Sequence, residues 1–428
     1  MSDRDPSAPL RASAKAPSTR YPFDNLAIAW FLLLLGSLSF SDSTTAVALS
    51  GQLNSANLVR YSCVLAAITL LALELRHPIR VSLSPIWLYA LYAVICLLSA
   101  VWSLSPIVTL GKAVELSAAV ATVAFAVNRP AGDKALGQLF DVTLAFGAII
   151  LVVAASGYVM GLSGFYVRNR SLIDQLDTWF VSANGIGYVS ALTATIALDR
   201  LFGRPKSWRL SAALYALSLT TAILAQGRTG LLAFVLGSLL VLAIHRRFTL
   251  LFATCGVMLL LGIAFSGTLE AYLSRGEDVD SLQTMSGRTV MWQAAWRSIL
   301  DQPWIGLGYG VGGRSLFLTV LAGFGTSMST LHNGFLEVLT GVGLLGFMPW
   351  IASLVWTLVN AFRCGLAGRH TGVSAIVVPV LATTVMSTGA GGAVDLPLAY
   401  FLCSTAILGR AALVGRSRRL PSGAFRST

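Results

Sequence analysis

The chain has 428 residues, of which 55% are hydrophobic and 11% charged, and it carries five cysteines and a formal net charge of +12. A soluble protein carries about 25% charged residues, so too little charge is present to solvate a water-facing surface, and a soluble enzyme of this length is excluded. The positive charge is scattered among loops rather than gathered on one face, which also argues against nucleic acid as a partner.

The first 22 residues are rich in Ser, Ala, Pro and Arg and read as a disordered cytoplasmic tail, 1–22. The first apolar run follows with no small-x-small cleavage pattern, so it reads as an uncleaved signal anchor. Beyond it, apolar blocks close to bilayer length recur at 24–41, 56–75, 84–102, 107–127, 138–160, 180–200, 210–226, 229–245 and 248–266, then at 331–360, 373–390 and 396–414. That makes about 12 transmembrane helices of an all-α, polytopic integral membrane protein. Stretches such as VLGSLLVLAI do not alternate apolar and polar residues, which excludes an outer-membrane barrel. The organisation is therefore a tail, nine spans over 23–266, a long extracytoplasmic loop over 267–330, three spans over 331–414 and a basic cytoplasmic tail over 415–428. The 331–360 block exceeds one span, and Gly341 or Gly343 offers a break.

Orientation follows from the positive-inside rule. With the N-terminus inside, most of the 30 Lys and Arg fall in the tails and even-numbered connections, which puts both termini in the cytoplasm. The cysteines Cys63, Cys96, Cys255, Cys364 and Cys403 are isolated and read as small buried hydrophobes rather than disulfides or ligands.

The 267–330 loop holds Trp292, Trp296, Trp304, Tyr309 and Phe317, too aromatic for a disordered segment. Residues 286–300 form an amphipathic helix capped by Ser286 and ended by Pro303, with Trp292 and Trp296 one turn apart on one face at headgroup depth. Arg288 lies at its N-terminal end, where unpaired backbone N–H groups favour an anion. The glycine-rich run 303–313 lacks a preceding strand and a Gly-Lys-Ser/Thr ending, so it reads as a turned backbone packed on something flat rather than a phosphate loop. His332 and Asn333 mark the return to the membrane, and Glu337 sits deeper, where a carboxylate needs a partner such as an arginine or the histidine. Arg228 lies in the short connection of Ala-Gln-Gly-Arg-Thr-Gly (225–230). Arg60 and Lys112 fall in the outer parts of their spans, and the i, i+3 spacing pairs Lys112 with Glu115. Asp278 and Asp280 read as a solvated acidic turn, and no metal site is expected. Arginine forks grip phosphate oxygens in pairs, so a lipid-linked diphosphate is the candidate ligand.

Gly-Arg-Thr-x-x-Trp-x-x-Ala (287–295), Pro-Trp-Ile-Gly-Leu-Gly-Tyr-Gly (303–310) and His-Asn-Gly-Phe-Leu-Glu (332–337) together resemble the O-antigen ligase and polysaccharide polymerase superfamily. Gly-Arg-Thr-Gly (227–230) and Ser-Ala-Asn-Gly-Ile-Gly (182–187) are similar to its upstream landmarks, and the likeness is nearest the succinoglycan-type exopolysaccharide branch. The resemblance implies a glycosyltransferase of the bacterial inner membrane, acting on its periplasmic face on an undecaprenyl diphosphate-linked glycan. It implies Arg228 and Arg288 on the diphosphate and His332 acting on the acceptor hydroxyl; Asn333, Glu337, Arg60 and Lys112, from their positions beside these residues, are read as supporting or acceptor-binding. The acceptor is either a second glycan, for a polymerase, or lipid A-core, for a ligase. Membrane lipids and polysaccharide export machinery are the other partners, and no cofactor is required. A transporter is the rival class, but the distinctive polar residues gather at one surface rather than at the midplane.

Overall fold

In a computed structural model, residues 24–38, 55–75, 84–168, 173–203, 207–268, 272, 288–319 and 330–417 are described. The expected tail 1–22, the cap Ser286, the acidic turn at Asp278 and Asp280 and the last residues of the basic tail lie outside them.

The described residues are almost wholly helical. In chain order the helices are α1 (Asn25–Gly36), α2 (Ser55–Glu74), α3 (Pro85–Leu98), α4 (Pro106–Asn128), α5 (Gly132–Val159), α6 (Ala183–Gly203), α7 (Trp208–Ala225), α8 (Arg228–Ile244) and α9 (Phe248–Ala264). There follow α10 (Arg288–Asp301), α11 (Gly312–Thr319), α12 (Gly334–Leu366), α13 (Thr371–Ala375), α14 (Val377–Met386) and α15 (Leu396–Ser417). A two-residue antiparallel pair, β1 (Tyr166–Val167) and β2 (Gln175–Leu176), ties the α5–α6 connection. Local signals set several boundaries. Proline opens α3 and α4, where its missing N–H costs nothing, and the Asp24 and Asn333 side chains accept backbone N–H groups at the starts of α1 and α12.

Six helices, α2, α4, α5, α7, α12 and α15, are long and apolar enough to cross a bilayer, and shorter apolar helices accompany them. Every apolar block read from the sequence coincides with a helix or, at 373–390, with the pair α13 and α14. The burial pattern is that of an integral membrane protein. Leucines and isoleucines such as Leu65, Ile107, Leu110 and Leu260 face outward, and α9 buries no residue at all. The interior holds Trp30, Tyr89, Tyr92, Trp350, Tyr400 and Phe401 together with many Ser and Thr hydroxyls. These hydroxyls donate to carbonyls one turn back or cross between helices, as from Trp30 Nε1 to Thr143 Oγ1 at 2.8 Å. Helix α6 is buried nearly all round between α5, α7 and α8, as expected of a central helix.

Two expectations need correction. Glu115 does not pair with Lys112 on its own helix. It takes Arg60 of α2 in a two-pronged ion pair with N–O distances of 2.7–3.0 Å, because a guanidinium fork matches a carboxylate better than a lysine one turn away. The cysteines are also not uniformly buried, since Cys255 is exposed and Cys63 is half-buried.

The long apolar block at 331–360 does break, at Gly343, whose φ of +59° lies in the left-handed region. The break frees backbone groups in α12, and the glycine-rich segment satisfies them. Leu307 N donates to Thr340 O and Gly308 N to Gly341 O, both at 2.8 Å, while Leu344 N donates to Pro303 O at 2.8 Å and Leu345 N to Trp304 O at 3.1 Å. Non-helical backbone at membrane depth is tolerated only where protein supplies such partners. The flat surface expected under the glycine-rich run is thus the opened turn of α12. A Cβ on Gly343 would meet the Trp304 backbone at 2.3 Å, so no other residue fits.

Candidate active site

One end of the bundle collects the residues singled out in the sequence. Gln226, in the left-handed conformation with φ +52°, ends α7, and Arg228 is the first residue of α8. The start of α8 crosses the start of α6 at glycine on both sides, since a Cβ on Gly230 would lie 2.7 Å from the Gly187 backbone. This close crossing accounts for the glycines in both upstream motifs. It sets Tyr188 of α6 beside Thr229 and Ser387, within the electrostatic reach of Arg288.

Arg288 opens α10, a helix that packs inward through Met291, Ala294, Ala295 and Ile299. Trp292 donates from Nε1 to Leu331 O at 2.9 Å, which pins α10 to the residue preceding His332. The two tryptophans do not share one environment as expected: Trp292 is packed against this cluster, whereas Trp296 is 54% exposed. The Arg288 guanidinium reaches the carbonyl of Met386 at 3.4 Å. Burial lowers its pKa, Tyr188 partly offsets that, and the nearby Arg228 charge lowers it further. Two arginines held within each other's field in a desolvated site favour an anion between them.

His332 follows directly, half-buried and with φ +50°. Its pKa is pushed down to about 4, first by burial and then by Arg288, so the imidazole is neutral near pH 7. Asn333 has a structural task, since its side-chain oxygen accepts from Phe335 N at 3.0 Å and Leu336 N at 3.2 Å to cap α12.

The other sequence-derived residues form a second cluster. Glu337 accepts from Leu331 N at 2.7 Å and lies in the fields of Arg314 and Lys112, so its charged partners are Arg314 and Lys112 rather than His332. Lys112 in turn feels Arg314, Arg60, Glu115 and Glu337. The glycine-rich run wraps this cluster closely, with Gly310 against the Lys112 stem and Gly313 against the Glu337 carboxylate. A cavity of about 60 Å³ opens here, lined by Lys112, Arg314, Glu337, Thr388 and Gly392 among others. Arg60 is committed to Glu115 and works as a fastener between α2 and α4.

Sequence reading missed three elements. Arg314, on α11, adds a buried positive charge whose pKa burial lowers. The loop from Ser387 to Val394 is gripped by Tyr89 Oη and Trp350 Nε1, both donating to Ala390 O at 2.6 and 2.9 Å, and by Tyr309 Oη donating to Gly392 O at 2.7 Å. Asp395 ends that loop and caps α15 by accepting Leu398 N at 2.8 Å. Burial raises its pKa to about 7, Leu398 lowers it in part and Glu115 raises it. The three donors, Tyr89 and Trp350 in apolar runs and Tyr309 in the glycine-rich run, are far apart in sequence, so nothing local marked them as a clamp. Among the described residues no group of three or more His, Cys, Asp or Glu could hold a metal ion.

No curated protein matches the chain in sequence. Residues 213–351, which contain Arg228, Arg288 and His332, match the family described as O-Antigen ligase, and over that third of the chain the match supports the likeness to the O-antigen ligase-like superfamily.

Proposed function

We propose that the protein is a glycosyltransferase of the bacterial inner membrane that acts on the periplasmic face and polymerises undecaprenyl diphosphate-linked repeat units into an exopolysaccharide or O-antigen chain. The observation that carries this reading is the convergence of Arg228, Arg288 and a neutral His332 at one end of the bundle. In this reading the two arginines hold the diphosphate of the donor. An acceptor hydroxyl attacks the anomeric carbon, the bond from that carbon to the diphosphate oxygen breaks, and the polyprenyl diphosphate leaves with the electron pair. Charge grows on the diphosphate oxygens as the bond breaks, which is where fixed guanidinium groups lower the barrier. His332 takes the hydroxyl proton, a task open to it because it is uncharged before the reaction. Bound diphosphate also offsets the Arg288 charge, so His332 becomes a better base only when the donor is in place. The Lys112, Arg314 and Glu337 cluster is the acceptor side of the same site.

The test uses purified full-length protein with undecaprenyl diphosphate-linked repeat units as donor. Chain extension on a second lipid-linked repeat is the expected result. Transfer only when lipid A-core is supplied would replace polymerisation with ligation. Transfer that persists in both Arg288→Ala and His332→Ala would remove the catalytic assignment.

A further inference from the structure

A cleft of about 560 Å³ opens at the end of the bundle opposite His332. Helix α12 sets that separation: it starts at Gly334 beside His332, breaks at Gly343, and its second limb alone, residues 344–366, runs about 35 Å at 1.5 Å per residue to Leu366. The cleft is walled by the beginning of α5, the end of α6, residues 369–373 and the end of α15. Its volume falls within the range of small-molecule sites. None of its residues belongs to the site already described.

The lining has two parts. The floor is apolar, made by Leu136, Phe140, Ile196, Val373 and Ile407. The remainder carries charges of both signs in equal number: Asp133, Asp141 and Asp199 against Arg200, Arg369 and Arg410. Asp199 is held in place by His245 Nε2 at 2.9 Å and by the Thr371 hydroxyl. Asp141 pairs with Arg200 and Asp133 with Arg410, yet their carboxylates are 62% and 81% exposed. Exposed ion pairs of this kind contribute little and exchange partners readily. Arg369 makes no ion pair among the described residues and stands between two residues in the left-handed conformation, Gly368 and His370.

An apolar floor beneath a rim of mixed charge, at the level where spanning helices end, matches the boundary between acyl chains and headgroups. A purely anionic headgroup would meet as many carboxylates as guanidiniums. A headgroup with a phosphate and a primary ammonium satisfies both, and an ammonium donates hydrogen bonds to carboxylates, which a quaternary amine cannot. We propose that this cleft is a binding site for phosphatidylethanolamine, with the phosphate on Arg369, the ammonium on one of the two carboxylates Asp133 and Asp141, which stand about 12 Å apart along α5, and the glycerol and first acyl carbons on the apolar floor. This site is independent of the glycosyl transfer proposed above.

The experiment is native mass spectrometry of the full chain, delipidated and then returned to equimolar phosphatidylethanolamine, phosphatidylcholine and phosphatidylglycerol. Phosphatidylethanolamine is expected to be retained several-fold over the other two. The double change Asp133→Asn and Asp141→Asn is expected to reduce its preference over phosphatidylcholine by roughly three-fold, as for loss of exposed charge pairs. Arg369→Gln is expected to weaken both lipids alike, since both carry the phosphate. These three side chains lie at the cleft, and an unchanged thermal unfolding temperature checks that each variant is folded. Equal retention of the three lipids, a preference for phosphatidylglycerol, or an unaltered preference in the double Asn variant would overturn the proposal.

Discussion

His332 holds a left-handed backbone conformation that a non-glycine residue adopts at some cost, just before a capped helix and within the field of the half-buried Arg288. With its pKa near 4, the base-competent neutral imidazole persists as pH falls and is lost only as pH passes down through about 4. The acid limb of kcat/KM, which reports the free enzyme, is therefore expected well below the ordinary histidine value of about 6.5. The acid limb of kcat is expected at higher pH, because bound diphosphate cancels part of the Arg288 field. Asp395 titrates in the opposite sense: its carboxylate forms only as pH rises through about 7. Asparagine can still cap α15, so Asp395→Asn is expected to keep thermal stability and to remove any inflection near pH 7. Arg288→Ala is expected to lower kcat by about 100-fold or more, the usual loss for a donor that faces developing charge. Arg288→Lys is expected to recover only part of this, since an ammonium offers no planar fork.

Helix boundaries were legible in the sequence because apolar length and the Pro, Gly and charged residues that bound it are local signals, whereas Asn333, read as a supporting or acceptor-binding residue, proves to cap α12. The break at Gly343 was legible only as one of two glycines, since the deciding factor is the 303–308 backbone arriving from elsewhere. Charged partners were the least legible. Glu115 had Lys112 within one turn and took Arg60, 55 residues away, because packing of α2 on α4 supplies a fork that helix spacing cannot reveal. That pair is 22% and 3% exposed. Removing one partner leaves a buried charge, so Arg60→Met or Glu115→Gln is expected to destabilise the protein by about 3 kcal/mol or more. Arg60→Met combined with Glu115→Leu is expected to recover most of that loss, and thermal unfolding of the three variants in one detergent measures it. Recovery in the double variant would mark the pair as a fastener, whereas lost activity in a stable double variant would give it a part in the chemistry.

The whole molecule exposes its leucines and isoleucines sideways and keeps its distinctive polar residues at two ends, one holding Arg228, Arg288 and His332 and the other the mixed-charge cleft. The distribution of Lys and Arg predicts which end faces the periplasm, because cytoplasmic connections retain them. The expected outcome is the His332 end outside and the Leu366 end in the cytoplasm. Gln302 and Ala367 are both exposed: Gln302 follows the end of α10 at Asp301, next to the Pro303–Trp304 backbone that meets α12 just past its break at Leu344 and Leu345, and Ala367 follows the far end of α12 at Leu366. In a variant whose five native cysteines are replaced, Gln302→Cys is expected to react with a membrane-impermeant maleimide on intact spheroplasts. Ala367→Cys is expected to react only after the membrane is opened. The reverse pattern would turn the protein over, putting the arginines and His332 on the side where lipid-linked units are built rather than where they are joined. Labelling of both positions from one side would instead require that α12 not cross the bilayer, against its length of 33 residues and its apolar composition.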